Sequence, residues 1–270
     1  MNAKIKYLFL FFLLWGVNNT AQDIIVFTPE KSHFIPSNDT VLVFAPVSEN
    51  KVPLLIMLHG YSGDYNQWNR LIDLKQYSEN YKLIIACPDG LFDSWYVNSS
   101  IVDNICMEDF IIKTLLPELS QSYNVDTSLI FITGLSMGGH GAISLLLKYS
   151  NIFKAAGSTS GILDLRPFPA KWGMEKVLGS YSASSENWDK NSSIKLLESF
   201  DDKNLRLIID CGTEDFAYDV NVSFMKKCKE LRIPLRFISA PGSHTRNYWS
   251  ESIKDHFNFF DKIAKGKNRR

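Results

Sequence analysis

The residues with the most specific chemistry in this sequence are Gly134-Leu135-Ser136-Met137-Gly138, a serine set between glycines. They follow an apolar, β-branched run at 129–133 and precede a stretch of helical period at 137–149, so the motif reads as strand, turn and helix. On so tight a turn, side chains two positions either side of the serine would collide, which accounts for glycine at 134 and 138. The turn lifts the Ser136 hydroxyl off the strand end and sets it at a helix N-terminus. There the Met137 backbone N–H can face a developing oxyanion. The chemistry such a serine performs is nucleophilic attack on an acyl carbonyl. G-x-S-x-G alone arises by chance; its specificity here comes from the strand before it and the helix after it.

A nucleophilic serine needs a base, and the base needs an orienting acid, which in this arrangement follow in the order Ser, Asp or Glu, His. Of the five histidines, His244 and His256 follow Ser136 at a useful distance. His244 sits in Ala240-Pro241-Gly242-Ser243-His244, a loop directly after the strand-like run 235–239, where a base can reach the serine. His256, beside Phe257, Phe259 and Phe260, is expected on the solvent face of the last helix. For the acid, the run 205–210 leads into Cys211-Gly212-Thr213-Glu214-Asp215. Asp210 ends the strand and is a candidate to point into the sheet. Glu214 and Asp215 both lie in the following loop, and spacing does not separate them. Asp219 is expected to cap or line the next helix. The second oxyanion donor should come from Leu58-His59-Gly60-Tyr61-Ser62-Gly63, with the Tyr61 amide paired with that of Met137 and His59 packing the turn.

The elements that must position these groups alternate along the chain. Strands are expected at 24–28, 41–45, 54–58, 83–86, 129–133, 155–158, 205–210 and 235–239, the central ones apolar almost throughout, as strands covered on both faces are. Helices are expected at 68–81, 109–123, 137–149, 220–231 and 247–264. This order gives an α/β fold, a mostly parallel eight-stranded sheet with helices on both faces. With the serine turn at its centre, it is the α/β-hydrolase fold. Residues 161–200 break the alternation with prolines and Trp172 and Trp188, and read as a helical excursion over the carboxyl edge of the sheet, where ligands bind.

Lys4 and Lys6, the apolar run 7–17 and the polar-to-small ending at Ala21 have the order of a secretory signal peptide, 1–21, leaving one catalytic domain over 22–270 and a secreted or periplasmic protein. The apolar run is short for a membrane span, so no stable membrane insertion is expected after cleavage. Lys+Arg and Asp+Glu both total 29, which removes any general pull toward nucleic acid. The closing basic run 265–270 reads as a solvated tail. Cys87, Cys106, Cys211 and Cys228 match no zinc spacing and fix no disulfide pairing; no metal and no cofactor is implied.

Together these residues resemble the esterase D–like family of α/β-hydrolases, which includes S-formylglutathione hydrolases, feruloyl and acetyl-xylan esterases, tributyrin esterases and mycolyltransferases. The resemblance rests on Leu58-His59-Gly60, Pro88-Asp89-Gly90 with Ser94-Trp95-Tyr96, Gly134 to Gly139, Cys211 to Asp215, and Pro241-Gly242-Ser243-His244 followed by Trp249. Ser243 and Thr245 depart from the usual pattern around the histidine. The resemblance implies Asp215 as the acid and a Ser136–His244–Asp215 triad working through an acyl-enzyme. It also implies hydrolysis of acetyl or feruloyl esters on plant polysaccharides or oligosaccharides. The alternatives are a short-chain esterase or thioesterase, acyl transfer to a sugar, and a non-enzymatic binding module. Trp95, Tyr96 and Trp249 are the expected substrate contacts, with Trp68, Trp172 and Trp188 as further stacking candidates.

Overall fold

The computed structural model describes residues 21–200 and 205–267. The expected leader lies outside the described residues except for Ala21, which opens the first strand. The strands are β1 Ala21–Phe27, β2 Asp39–Ala45, β3 Val52–Leu58, β4 Ile84–Pro88, β5 Val125–Leu135, β6 Ala155–Thr159, β7 Leu207–Gly212 and β8 Leu235–Ala240. They form one eight-stranded sheet in the order β1-β2-β4-β3-β5-β6-β7-β8. β2 runs antiparallel to both its neighbours, and β3 to β8 are mutually parallel. All eight expected strands are present, with ends shifted by a few residues.

The helices are α1 Leu74–Tyr81, α2 Leu116–Ser122, α3 Met137–Lys148, α4 Met174–Leu178, α5 Tyr181–Asn191, α6 Ser193–Glu198, α7 Tyr218–Glu230 and α8 Arg246–Lys267. α2 continues a wider π-helical stretch, Phe110–Leu115. Two apolar layers flank the sheet, one centred on Phe110, Ile143, Leu146 and Phe224, the other on Trp68, Leu74, Phe257 and Phe260. Because β3, β4, β5 and β7 are buried on both faces, alternation is suppressed and their sequences are continuous apolar runs.

Three expectations change. The helix expected from 68 starts only at Leu74, because Asp73 caps it by accepting the Gln76 N–H, and Trp68 instead turns inward to donate to the Leu58 carbonyl. The basic end is not a loose tail as far as Lys267, since α8 runs through it. His256 does not face solvent: it is fully buried. Positions 253, 256, 257, 260 and 264 fall on one 3.6-residue stripe, and the histidine occupies that stripe with Ile253, Phe257 and Phe260. The four cysteines are free thiols, and Cys87, Cys211 and Cys228 are buried. Among the described residues no helix is long and apolar enough to cross a membrane.

Candidate active site

β5 delivers Ser136 to the carboxyl edge of the sheet in a conformation that L-residues rarely adopt, φ 54° and ψ −115°. Its neighbours permit the turn. A Cβ on Gly134 would run into the Gly138 backbone, and one on Gly138 into the carbonyls of Leu58 and His59. Such a backbone stores roughly 1–3 kcal/mol of strain, which the surrounding bonds must hold. Among them, the Ser136 N–H donates to Thr159 O at 2.9 Å.

The loops after β7 and β8 bring Asp215 and His244 to the same place. His244 Nε2 lies 3.0 Å from Ser136 Oγ, and Nδ1 lies 3.0 and 2.9 Å from the two Asp215 carboxylate oxygens. Asp215 is buried, and its Oδ1 also accepts the Ala217 amide at 2.8 Å. Burial would raise its carboxyl, but the hydrogen bond and charge of His244, with the Ala217 amide, outweigh burial and hold it below the usual range. That fixes the imidazole with the Nδ1 proton toward the acid and Nε2 free to accept from the serine. Glu214, the other acid that spacing left open, is exposed and stays outside this line. Asp219 lies in the first turn of α7.

The loop after β3 closes the opposite side. Gly60 N–H donates to Gln67 Oε1 at 2.7 Å, Ser62 N–H to Phe92 O and Gly63 N–H to Gly60 O, both at 2.9 Å. The Tyr61 amide donates to no backbone acceptor among the described residues, and the Met137 amide, first in α3, has no acceptor within its helix. These are the two donors available for an oxyanion. His59 is buried and braces the loop: its Nε2 accepts the Gly90 N–H at 2.8 Å, so the proton sits on Nδ1, 2.7 Å from Gly60 O.

A cavity of about 180 Å³ opens over Ser136, walled by Tyr61, Trp95, Trp172, Phe216 and Trp249, with Gln67 at its edge. Trp249 meets the His244 ring edge-on at 5.0 Å, and Phe216 lies 4.4 Å from the same ring. Tyr96, expected here as a substrate contact, is not in the wall. It is fully buried beneath the loop, with its hydroxyl donating to His59 O at 3.2 Å. Trp68 and Trp188 are likewise core residues. Phe216 and Gln67 were not singled out from sequence. A phenylalanine directly after the acid, on no apolar stripe, was the available signal for Phe216. Among the described residues no cluster of three His, Cys, Asp or Glu could hold a metal ion.

The sheet order, the serine turn and the placement of Asp215 and His244 after β7 and β8 define the α/β-hydrolase fold. The chain belongs to the Esterase family, described as Putative esterase, which matches residues 32–260, and is a carboxylic ester hydrolase. It is 25% identical to the S-formylglutathione hydrolase of Bos taurus over 231 residues, covering 76% of this chain and 81% of the relative. It is 24% identical to the acetyl esterase of Caldicellulosiruptor saccharolyticus over 259 residues, 86% of this chain and 96% of the relative. Among solved structures, the substrate-bound fluorophosphonate-binding serine hydrolase FphF of Staphylococcus aureus shares the fold, with TM-score 0.79 and 22% identity over 90% of this chain and 99% of that one.

Proposed function

We propose that this chain is an exported serine carboxylesterase, one catalytic domain over 22–270, that removes acetyl or feruloyl groups from plant polysaccharides or their oligosaccharides. One observation carries the reading: the unbroken hydrogen-bonded line from Asp215 through His244 to Ser136 at the floor of an aromatic-walled cavity. His244 Nε2 takes the hydroxyl proton as Ser136 Oγ bonds to the ester carbon, while Asp215 holds the tautomer and stabilises the imidazolium. The Tyr61 and Met137 amides receive the oxyanion. The ester C–O bond breaks, the alcohol leaves with the proton from His244, and water then cleaves the acyl-serine by the same steps reversed in role.

The cavity lining favours a flat acyl ring or a small acyl group, since Tyr61, Trp95, Trp172, Phe216 and Trp249 make most of its wall, with Leu135 and Gly60 beside them. The acetyl esterase relative, aligned over nearly its whole length, supports the acetyl form of the reading. The S-formylglutathione hydrolase relative makes a thioester substrate the competing form.

Ser136→Ala should abolish turnover of p-nitrophenyl acetate, a loss on the order of 10⁶ in kcat, with the fold kept. Wild-type turnover by that variant would remove the nucleophile assignment. A panel of acetylated xylan, feruloylated xylan, tributyrin and S-formylglutathione tests the substrate. Release of acetate or ferulate from xylan is the expected result, and activity confined to the last two would overturn the polysaccharide reading.

A further inference from the structure

A second histidine–carboxylate pair lies beneath the first and takes no part in the chemistry above. His256 on α8 and Asp210 on β7 are both fully buried, with Nε2–H donating to Asp210 Oδ2 at 2.7 Å. The other ring nitrogen, Nδ1, is 2.7 Å from Thr133 Oγ1 on β5. Thr159 on β6 donates its hydroxyl to the same Asp210 oxygen at 2.8 Å. One imidazole is thus tied to β5 and, through Asp210, to β6 and β7.

The sheet is shaped for that ring. Thr133 pairs with Gly157, and Thr159 with Asp210, so all four positions share the face that α8 covers. A methyl group at Gly157 would collide with His256 Nδ1 and lie 2.7 Å from Thr133 Oγ1; the strand is bare where the imidazole sits. Around the network this layer is mostly apolar, including Phe131, Ala155, Ile208, Ile253, Phe257 and Phe260, with the Tyr248 hydroxyl beside Asp210. Apolar side chains of similar volume at 133, 159, 210 and 256 together would fill the layer without burying any polar group, so stability alone does not account for the arrangement.

What the network grips is the site. The Thr159 carbonyl holds the Ser136 amide, and the Asp210 carbonyl holds the Ser160 amide at 2.8 Å. The helix that carries His256 begins at Arg246, directly after the loop that presents His244. The same residue therefore anchors the strand end behind the nucleophile and the helix behind the base. We propose that His256, through Asp210 and Thr159, is a positioning residue that sets the height of Ser136 Oγ against His244 Nε2. The inference rests on Ser136 and His244 being nucleophile and base.

The test is steady-state hydrolysis of p-nitrophenyl acetate, together with the rate of fluorophosphonate labelling. It compares the wild type with His256→Gln, His256→Leu, Asp210→Asn, Thr159→Val and Ser136→Ala, at a temperature where circular dichroism shows each folded. His256→Leu, Asp210→Asn and Thr159→Val should lower kcat about ten- to a hundred-fold with KM kept, because a misplacement of order 1 Å costs that much. Labelling should slow in parallel, and His256→Gln, which can bridge the same partners, should recover most of the rate. Folded variants with wild-type kcat and only a lower Tm would show a purely structural role and overturn the proposal. If His256→Leu does not fold, Thr159→Val decides by the same criterion. Turnover by Ser136→Ala would instead sink the nucleophile reading, and this inference with it.

Discussion

Four residues past the nucleophile, His140 is completely buried on α3, its Nε2 2.7 Å from Asn191 O and its ring 5.8 Å from that of Trp95. Burial, reinforced by the nearby Lys148 charge and opposed by the Asn191 carbonyl, pushes its pKa down to about 4. The unfolded chain therefore binds this proton more readily than the folded one between about pH 6.5 and pH 4. The stability that depends on a neutral His140 is complete above the unfolded value and is lost as pH falls through that window, about 3 kcal/mol in all. Asp215 acts in the same sense, since its lowered carboxyl lends stability that disappears as pH falls through the folded value. Denaturant unfolding followed from pH 7 to pH 4 should show this loss, and His140→Leu should flatten it; an unchanged slope in that variant would contradict the assignment. Sequence placed Ser136, His244 and the Tyr61 loop by motif and order, because covalent spacing imposes those turns. It could not separate Glu214 from Asp215 by spacing, since which side chain turns inward depends on the close of β7 against the Gly242 carbonyl, to which the Glu214 amide donates.

At the scale of elements, the excursion between β6 and β7 matters through Trp172. The Trp95 indole donates to the Trp172 carbonyl at 3.0 Å and holds that residue at φ 47°, with Phe168 at 5.4 Å and Phe216 at 5.3 Å from its ring. Phe216 is half exposed, so this aromatic row borders solvent at the cavity mouth. If the row receives an aryl acyl group, Trp172→Ala should raise KM for methyl ferulate about tenfold relative to p-nitrophenyl acetate, the scale of one lost ring contact. Equal losses on the two substrates would assign the row to structure. The helical nature of the excursion was legible in its composition, but the inward turn of Trp172 was not, because it is set by a contact with a residue far away in sequence. His256 was misplaced for a related reason: three neighbouring phenylalanines suggest one apolar face, and only the 3.6-residue stripe shows that the histidine lies on it.

At the scale of the whole molecule, the central strands and their order of appearance were readable because buried parallel strands leave long apolar runs, while the exposed, antiparallel edge strand β1 showed itself by its β-branched residues. The lateral order in the sheet was not, since it is fixed by crossovers rather than by local sequence. β1 begins at Ala21 and pairs with β2 from that residue on, so loss of a leader ending there would leave Gln22 onward to form the edge. If the proposed export holds, the protein expressed with residues 1–21 in a secreting host should be recovered outside the cytoplasm with an intact mass that starts at or beside Gln22; retention of full-length chain inside the cell would contradict export. The last helix has a consequence for how the enzyme comes into being. The nucleophile and base are separated by 108 residues, and the helix that follows the base also supplies His256. A growing chain therefore carries Ser136 long before it carries His244 or the helix that braces the strand end behind the serine.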